Sequence, residues 1–233
     1  MQLKNKSVVI TGGSDGLGFS LAKSLLAKGA IVNIIARDKN KLDLVVKQLG
    51  SNAVGFSADV SNWQEIEQVS RKIESVDVLI NNAGVWIEGS LLDCEIDKID
   101  QAIDINLKGV IYTTKAFLPK LQKETESHVL NVVSTSGLKG RDGQSVYCAS
   151  KFGVSGFTES LKVDLEKTNV KVTGFYPGGM HTHLFDKAGN PKSNQDWMST
   201  DKVADIITFM LEQDISMVMD QVVLNKRMTT TSN

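Results

Sequence analysis

Cysteine and proline are scarce in this chain, aromatic residues are few, and neither sign of charge is in surplus. Only Cys94 and Cys148 occur, far apart and without metal-ligand spacing, which excludes a disulfide framework. Three histidines, His128, His181 and His183, complete a poor ligand set, so no metal is expected. Three prolines and the lack of a Gly/Ser linker or a repeat leave no sign of a boundary, and residues 1–233 are expected to form a single domain. With 26 basic and 27 acidic residues the net charge is -1, so no positive field exists to attract nucleic acid or an anionic membrane. No apolar run approaches the roughly 20 residues that a bilayer demands, and residues 1–6 lead into a short strand rather than a signal peptide. A soluble, cytoplasmic protein with small-molecule partners is the expectation.

What the chain does have is a rhythm. Short β-branched runs at 7–11, 31–36, 54–58, 77–81, 128–134, 171–176 and 217–224 alternate with amphipathic stretches at 17–28, 39–49, 63–73, 96–121, 147–167 and 201–211. The runs are nearly continuous in hydrophobicity, as strands buried on both faces require. This predicts an α/β fold of Rossmann type, a doubly wound, seven-stranded parallel sheet with helices on both faces. Pro119 is expected to bend or end the fourth helix, and the polar tail from Met228 onward to fray.

Two local features carry chemistry. The stretch Thr-Gly-Gly-Ser-Asp-Gly-Leu-Gly at 11–18 ends the first strand and opens the first helix. Gly12, Gly16 and Gly18, with Ser14, Asp15 and Leu17 between them, therefore occupy a turn where a pyrophosphate can approach backbone amides and a helix N-terminus. The second feature is the pair Tyr147 and Lys151, one helical turn apart. A free phenol titrates near pH ~10 and is a poor acid or base in a cell unless a fixed positive charge favours its phenolate. By itself Tyr-x-x-x-Lys also arises on ordinary helices; a Ser-Thr-Ser-Gly segment at 134–137, just upstream, adds hydroxyls to it.

The order of these motifs resembles the short-chain dehydrogenase/reductase family, in its compact single-domain branch. The resemblance spans essentially the whole chain: the glycine turn at 11–18, Asp59 and Val60 after the third strand, Asn-Asn-Ala-Gly at 81–84, Asn106, Ser134, Tyr147 with Lys151, then Pro177, Gly178 and Thr182. It implies hydride transfer between a nicotinamide dinucleotide and a carbonyl or alcohol. Tyr147 would be the general acid, Ser134 would orient and polarise the carbonyl, Lys151 would lower the phenol pKa and bind the nicotinamide ribose, and Asn106 would hold a water in a proton route. Asn106 is equally open to a plain buried role, bonding helix backbone. By the same resemblance Asn82, Ala83 and Gly84 line the adenosine ribose side, Asn81 braces the sheet, and Asp59 and Val60 meet the adenine. Pro177 and Gly178 approach the nicotinamide, and Thr182 its carboxamide. A helix cap nearby is expected at Ser61 rather than Asp59.

Cofactor choice is read at the end of the second strand, where Ala36 removes the carboxylate an NAD enzyme uses and Arg37 offers a guanidinium to a 2′-phosphate. NADP(H) is expected over NAD(H), although Asp15 stands where NADP-preferring relatives often carry a base and Asp38 could neutralise Arg37. Residues 179–200, with Met180, His181, His183, Leu184, Phe185, Trp197 and Met198, are expected to form a substrate lid, and Trp86 and Leu138 are equally open to adding walls to it or to ordinary packing. Cys148 reads as packing. The resemblance implies a homodimer or homotetramer joined through the two long helices, while the C-terminal stretch from Asp214 lacks the glycines of the common family pattern, which weighs against the tetramer. Against the enzyme stands a dinucleotide-sensing or scaffold protein of the same fold without turnover; the intact Asn106, Ser134, Tyr147 and Lys151 favour the enzyme.

Overall fold

The computed structural model describes residues 1–189, 197–214 and 216–226. Part of the expected lid, 190–196, and the tail expected to fray lie outside the described residues. The strands are β1 (Ser7–Thr11), β2 (Ile31–Ala36), β3 (Ala53–Ser57), β4 (Val78–Asn81), β5 (Ser127–Val132), β6 (Val170–Pro177) and β7 (Gln221–Leu224). They form one sheet in the order β3-β2-β1-β4-β5-β6-β7, every pair parallel. The order reverses between β1 and β4, and there a crevice opens at the strands' carboxyl ends.

The helices are α1 (Gly16–Ala27), α2 (Lys39–Leu49), α3 (Trp63–Lys72), α4 (Ile96–Ile103), α5 (Gly109–Leu121), α6 (Ser145–Leu165), α7 (Leu184–Lys187) and α8 (Thr200–Leu211). They divide between the two faces of the sheet. Leu21 and Leu25 of α1, Leu42 of α2 and Ile207 of α8 pack with Val8, Ile10 and Ile34 in one apolar core. Ile66 of α3, Phe117 of α5 and Leu161 of α6 pack with Val9, Leu79 and Val129 in the other. The central strands β1, β4 and β5 are buried throughout, whereas β3 is an edge strand with Val54 exposed, so continuous apolar character overstated its burial.

Several boundaries differ from the sequence expectation. β5 stops at Val132 because Ser134 leaves the ladder to cap a short 3-10 turn at Thr135–Gly137. β7 begins only at Gln221. The expected single helix over 96–121 is broken by a π-helical turn at Asp104–Lys108, which contains Asn106. Pro119 lies in the last turn of α5, which ends two residues later at Leu121. The N-cap of α3 is Asn62, whose Oδ1 accepts from the amides of Gln64 and Glu65; Ser61 instead donates to Asp59.

Buried polar groups pin the layers together. Asn81 donates to Asn131 (2.8 Å) and to Thr114 (2.9 Å), Thr113 donates to Asn81, and Asn131 donates to Thr158 (2.9 Å). Asn81 thus braces the sheet, as expected. His128 on β5 is buried beside Thr173, 2.8 Å from Nε2. Burial first, then the nearby Lys171 and N-terminal charges, push its imidazole down to about 3. The unfolded chain binds a proton at this site below about pH 6.5 while the folded one stays neutral, so the stability is present above that pH and lost as pH falls toward 3. Urea unfolding should therefore show stability falling between roughly pH 7 and 5, above the carboxylate range, with a shallower fall in His128→Gln. Equal slopes in the two proteins would remove His128 as the cause.

Candidate active site

β1 delivers the chain into the glycine turn, and the turn closes on α1. Gly12 has φ +67°, and a side chain there would come within 2.9 Å of the Ala83 backbone; a Cβ on Gly18 would stand 2.3 Å from the Gly12 carbonyl oxygen. The loop after β4 packs onto this turn. Thr11 Oγ1 accepts from the amides of Asn82 (2.9 Å) and Ala83 (3.0 Å), and the Asn82 side chain donates to the carbonyls of Thr11 and Gly12. Asn82 is therefore spent largely on holding the turn. A cleft of about 940 Å³ runs from here across the carboxyl end of the sheet.

The far end of that cleft gathers Ser134, Tyr147 and Lys151. Ser134 Oγ accepts from the Ser136 amide (3.1 Å), which leaves its proton directed to the cleft, where it favours the ionised form of the nearby Tyr147 phenol. Burial pushes that phenol up to about 12, against the opposing pull of the Ser134 hydrogen bond and the Arg141 charge. Lys151 is buried too, and burial pushes its amine down to about 8. Its Nζ donates to the Val132 carbonyl (3.1 Å) and stands 5.9 Å from the Tyr147 ring centroid.

Of the expected site residues, Gly12, Ser14, Asp15, Gly16, Leu17, Arg37, Val60, Asn82, Ala83, Gly84, Ser134, Tyr147, Lys151, Pro177, Gly178 and Thr182 line the cleft. Gly18, Asp59 and Asn106 do not. Gly18 lies beneath the turn as its close contact with Gly12 requires. The Asp59 carboxylate accepts from Ser61 and stands 3.7 Å from Arg37. Asn106 clamps the backbone of Val85 in both directions, at 2.8 and 3.0 Å, and donates to Ser150 (3.1 Å). Its plain alternative was helix backbone; the partner is the strand-end loop instead. Cys148 is buried, in keeping with a packing role.

Asp15 behaves differently from its sequence reading as a charge opposed to phosphate. It caps α1 by accepting from Gly16 (2.8 Å), and Lys41 (2.6 Å), Lys187 (2.7 Å) and His183 (3.2 Å) converge on it. Burial raises its pKa, but those three partners and the Gly16 amide outweigh that and hold the carboxyl well below its usual range. Asp38 does not pair with Arg37; it caps α2 through the Lys41 amide (3.0 Å). Lys41 and Lys187 line the cleft and carried no signal in the sequence beyond helix-surface charge. Trp86 stacks on the Tyr147 ring (4.4 Å between centroids) and on Phe185 (4.6 Å), which meets Trp197 (4.7 Å). At the foot of this segment the Met198 amide donates to the Gly179 carbonyl (3.1 Å) and the Met198 carbonyl accepts from the His181 amide (2.9 Å), while Thr182 packs toward Gly16.

Comparison with known proteins places this geometry. A family model described as short chain dehydrogenase matches residues 6–193. A protein described as an uncharacterized oxidoreductase, from Staphylococcus aureus, is 32% identical over 216 residues, 91% of this chain and 93% of its own. One with the same description from Staphylococcus epidermidis is 29% identical over 227 residues, 96% of this chain and 98% of its own. Among solved structures, a closed form of serine dehydrogenase complexed with NADP+ superposes with a TM-score of 0.87 at 26% identity, over 94% of each chain. A 3-ketoacyl-(acyl-carrier-protein) reductase from Brucella melitensis complexed with NADH gives 0.86 at 26% identity, over 96% of this chain and 98% of that one. The glycine turn, the seven-stranded parallel sheet and the match over most of the sequence together make this chain a member of the short-chain dehydrogenase family of oxidoreductases.

Proposed function

We propose that this protein is an NADP(H)-dependent oxidoreductase that moves a hydride between nicotinamide and a carbonyl or alcohol substrate, with Tyr147 as general acid and base. What carries the reading is the joining, in one cleft, of a glycine-lined helix N-terminus with Ser134, Tyr147 and Lys151. The residues fit a dinucleotide, since side chains at Gly12 and Gly18 would fill the turn and α1 presents its N-terminus to a diphosphate. Bound there, the cofactor supplies the hydride. Ser134 donates to the substrate oxygen and orients it, and Tyr147 gives that oxygen its proton. Lys151 favours the phenolate left behind and binds the ribose, while Asn106, by fixing Val85, keeps the neighbouring wall in place and borders the proton route. Asn82, Ala83 and Gly84 serve the adenosine ribose side, Val60 the adenine, and Pro177, Gly178 and Thr182 the nicotinamide end. The segment around α7 acts as the lid. Exposed Phe152 and Val163 on α6 support association of two copies through the long helices.

Structural neighbours hold NADP+ or NADH, so the choice rests on this chain's own residues. Ala36 leaves no carboxylate at the end of β2. Arg37 is only loosely paired with Asp59 at 3.7 Å, an exposed contact that a phosphate can displace. Lys41 adds a second cation beside it and answers the objection raised by Asp15, which holds that ammonium at the mouth of the turn.

NADPH should bind more tightly than NADH when cofactor fluorescence is titrated, and Arg37→Asp or Lys41→Ala should each weaken NADPH by roughly 10-fold or more while leaving NADH nearly unchanged. Equal affinities in the wild-type protein would overturn the preference. In a panel of carbonyl compounds followed by NADPH absorbance, Tyr147→Phe should keep cofactor binding and lose about 100-fold or more of the turnover. Bound NADPH with no turnover of any compound would favour the silent sensor. Because Lys151 carries its charge below about pH 8 and loses it above, kcat/KM for NADPH in reduction should decline above that pH. A profile flat to about pH 10 would remove that role for the amine.

A further inference from the structure

We propose that Arg141 receives a carboxylate of the substrate, so that the carbonyl compound taken by this site is a short oxo acid and its reduced form the hydroxy acid. This rests on the hydride-transfer reading and names its substrate class.

Six lysines and arginines line the cleft: Arg37, Lys41, Lys98, Arg141, Lys151 and Lys187. Four of them face carboxylates, Arg37 that of Asp59, Lys41 and Lys187 that of Asp15, and Lys98 that of Glu95. Lys151 is buried and donates to a backbone carbonyl. Arg141 differs from all of these. Among the described residues its guanidinium makes one hydrogen bond, from Nη2 to Thr135 Oγ1 at 2.8 Å, and no carboxylate lies within ion-pair distance of it. Asp142, next in the chain, does not pair with it, and the Glu88 carboxylate takes the Gln144 amide at 3.4 Å instead.

Position turns this open cation into a specificity argument. Thr135 follows Ser134 in the chain, and both line the cleft with Arg141 and Tyr147, so the hydrogen bond that steadies Arg141 anchors it to the same short turn as the hydroxyl that orients the reacting oxygen. Its charge is felt at the Tyr147 phenol, which it favours as phenolate. A guanidinium with its fork unfilled matches a carboxylate in two parallel hydrogen bonds. The acid must be short, because the same molecule has to reach Arg141 and the Ser134–Tyr147 pair. Trp86 and Phe185 form an apolar wall at Tyr147, suited to the carbon skeleton between the two polar ends.

The test pairs short 2-oxo and 3-oxo acids with their methyl esters, which keep the carbonyl and lack the charge. With NADPH the wild-type protein should favour an acid over its ester, chiefly through KM. In Arg141→Gln the acid-to-ester ratio of kcat/KM should fall about 100-fold, and Arg141→Lys should recover part of it. An unchanged ratio, or equal losses on acid and ester, would overturn the proposal and leave Arg141 acting on the phenol alone. Should no compound be reduced, the hydride-transfer reading fails by itself. The subsite is then judged by quenching of tryptophan fluorescence when the hydroxy acids are titrated into the NADP+-loaded protein. Binding that is lost in Arg141→Gln supports the carboxylate site, and binding equal in both proteins removes it.

Discussion

Asn81 on β4 and Asn131 on β5 face one another inside the sheet, and their amides reach the hydroxyls of Thr114 and Thr158 on the helices that cover it. Those threonines donate in turn to carbonyls one turn back in their own helices, at Val110 and Val154. Each polar atom is therefore satisfied only if strand and helix keep one register. Losing a partner in such a buried chain costs about 1–3 kcal/mol, a directional penalty added to that of displacing the apolar core. The helices so fixed are α5, which continues from the turn bearing Asn106, and α6, which carries Tyr147 and Lys151. The positions of the reacting groups are thus set from within the core rather than by the loops around them.

Around this rigid centre one short segment touches both halves of the cleft. Phe185 belongs to the aromatic stack over Tyr147, while His183 and Lys187, within four residues of it, lie on Asp15 at the N-terminus of α1. The contacts at Asp15 are partly exposed ion pairs of modest strength, and such pairs exchange partners readily. A negative ligand at α1 and a substrate at Tyr147 would both meet the same four-residue helix. Whatever one does to α7 is therefore felt by the other.

Much of this was legible in the sequence because it is written in local pattern. Alternating β-branched and amphipathic runs specify a doubly wound sheet, and the glycine turn reads as strand-to-helix because both flanks agree. The positions of Ser134, Tyr147 and Lys151 follow from the resemblance. What stayed hidden depends on where side chains point after folding. Lys41, His183 and Lys187 are ordinary polar surface residues until α2, α7 and α1 bring them to one carboxylate. Arg37 meets Asp59 rather than its neighbour Asp38, because Asp38 has turned to cap α2. Periodicity could not reveal that the helix after β4 is interrupted, since its apolar spacing passes smoothly through the break.

That interruption, the π turn at Asp104–Lys108, inserts an extra residue into the helical winding, with the Gly109 amide reaching back to Asp104. Each residue of an α-helix advances the winding by about 100°. Shortening the chain by one residue here would restore a regular helix, but would swing the side of α4 away from its present neighbours or rotate α5 off the threonine ladder. The helix therefore has a length that is tuned to an odd count. Insertions and deletions in this stretch are constrained by angular phase, so that natural variation in length should be diverted to the loops on either side.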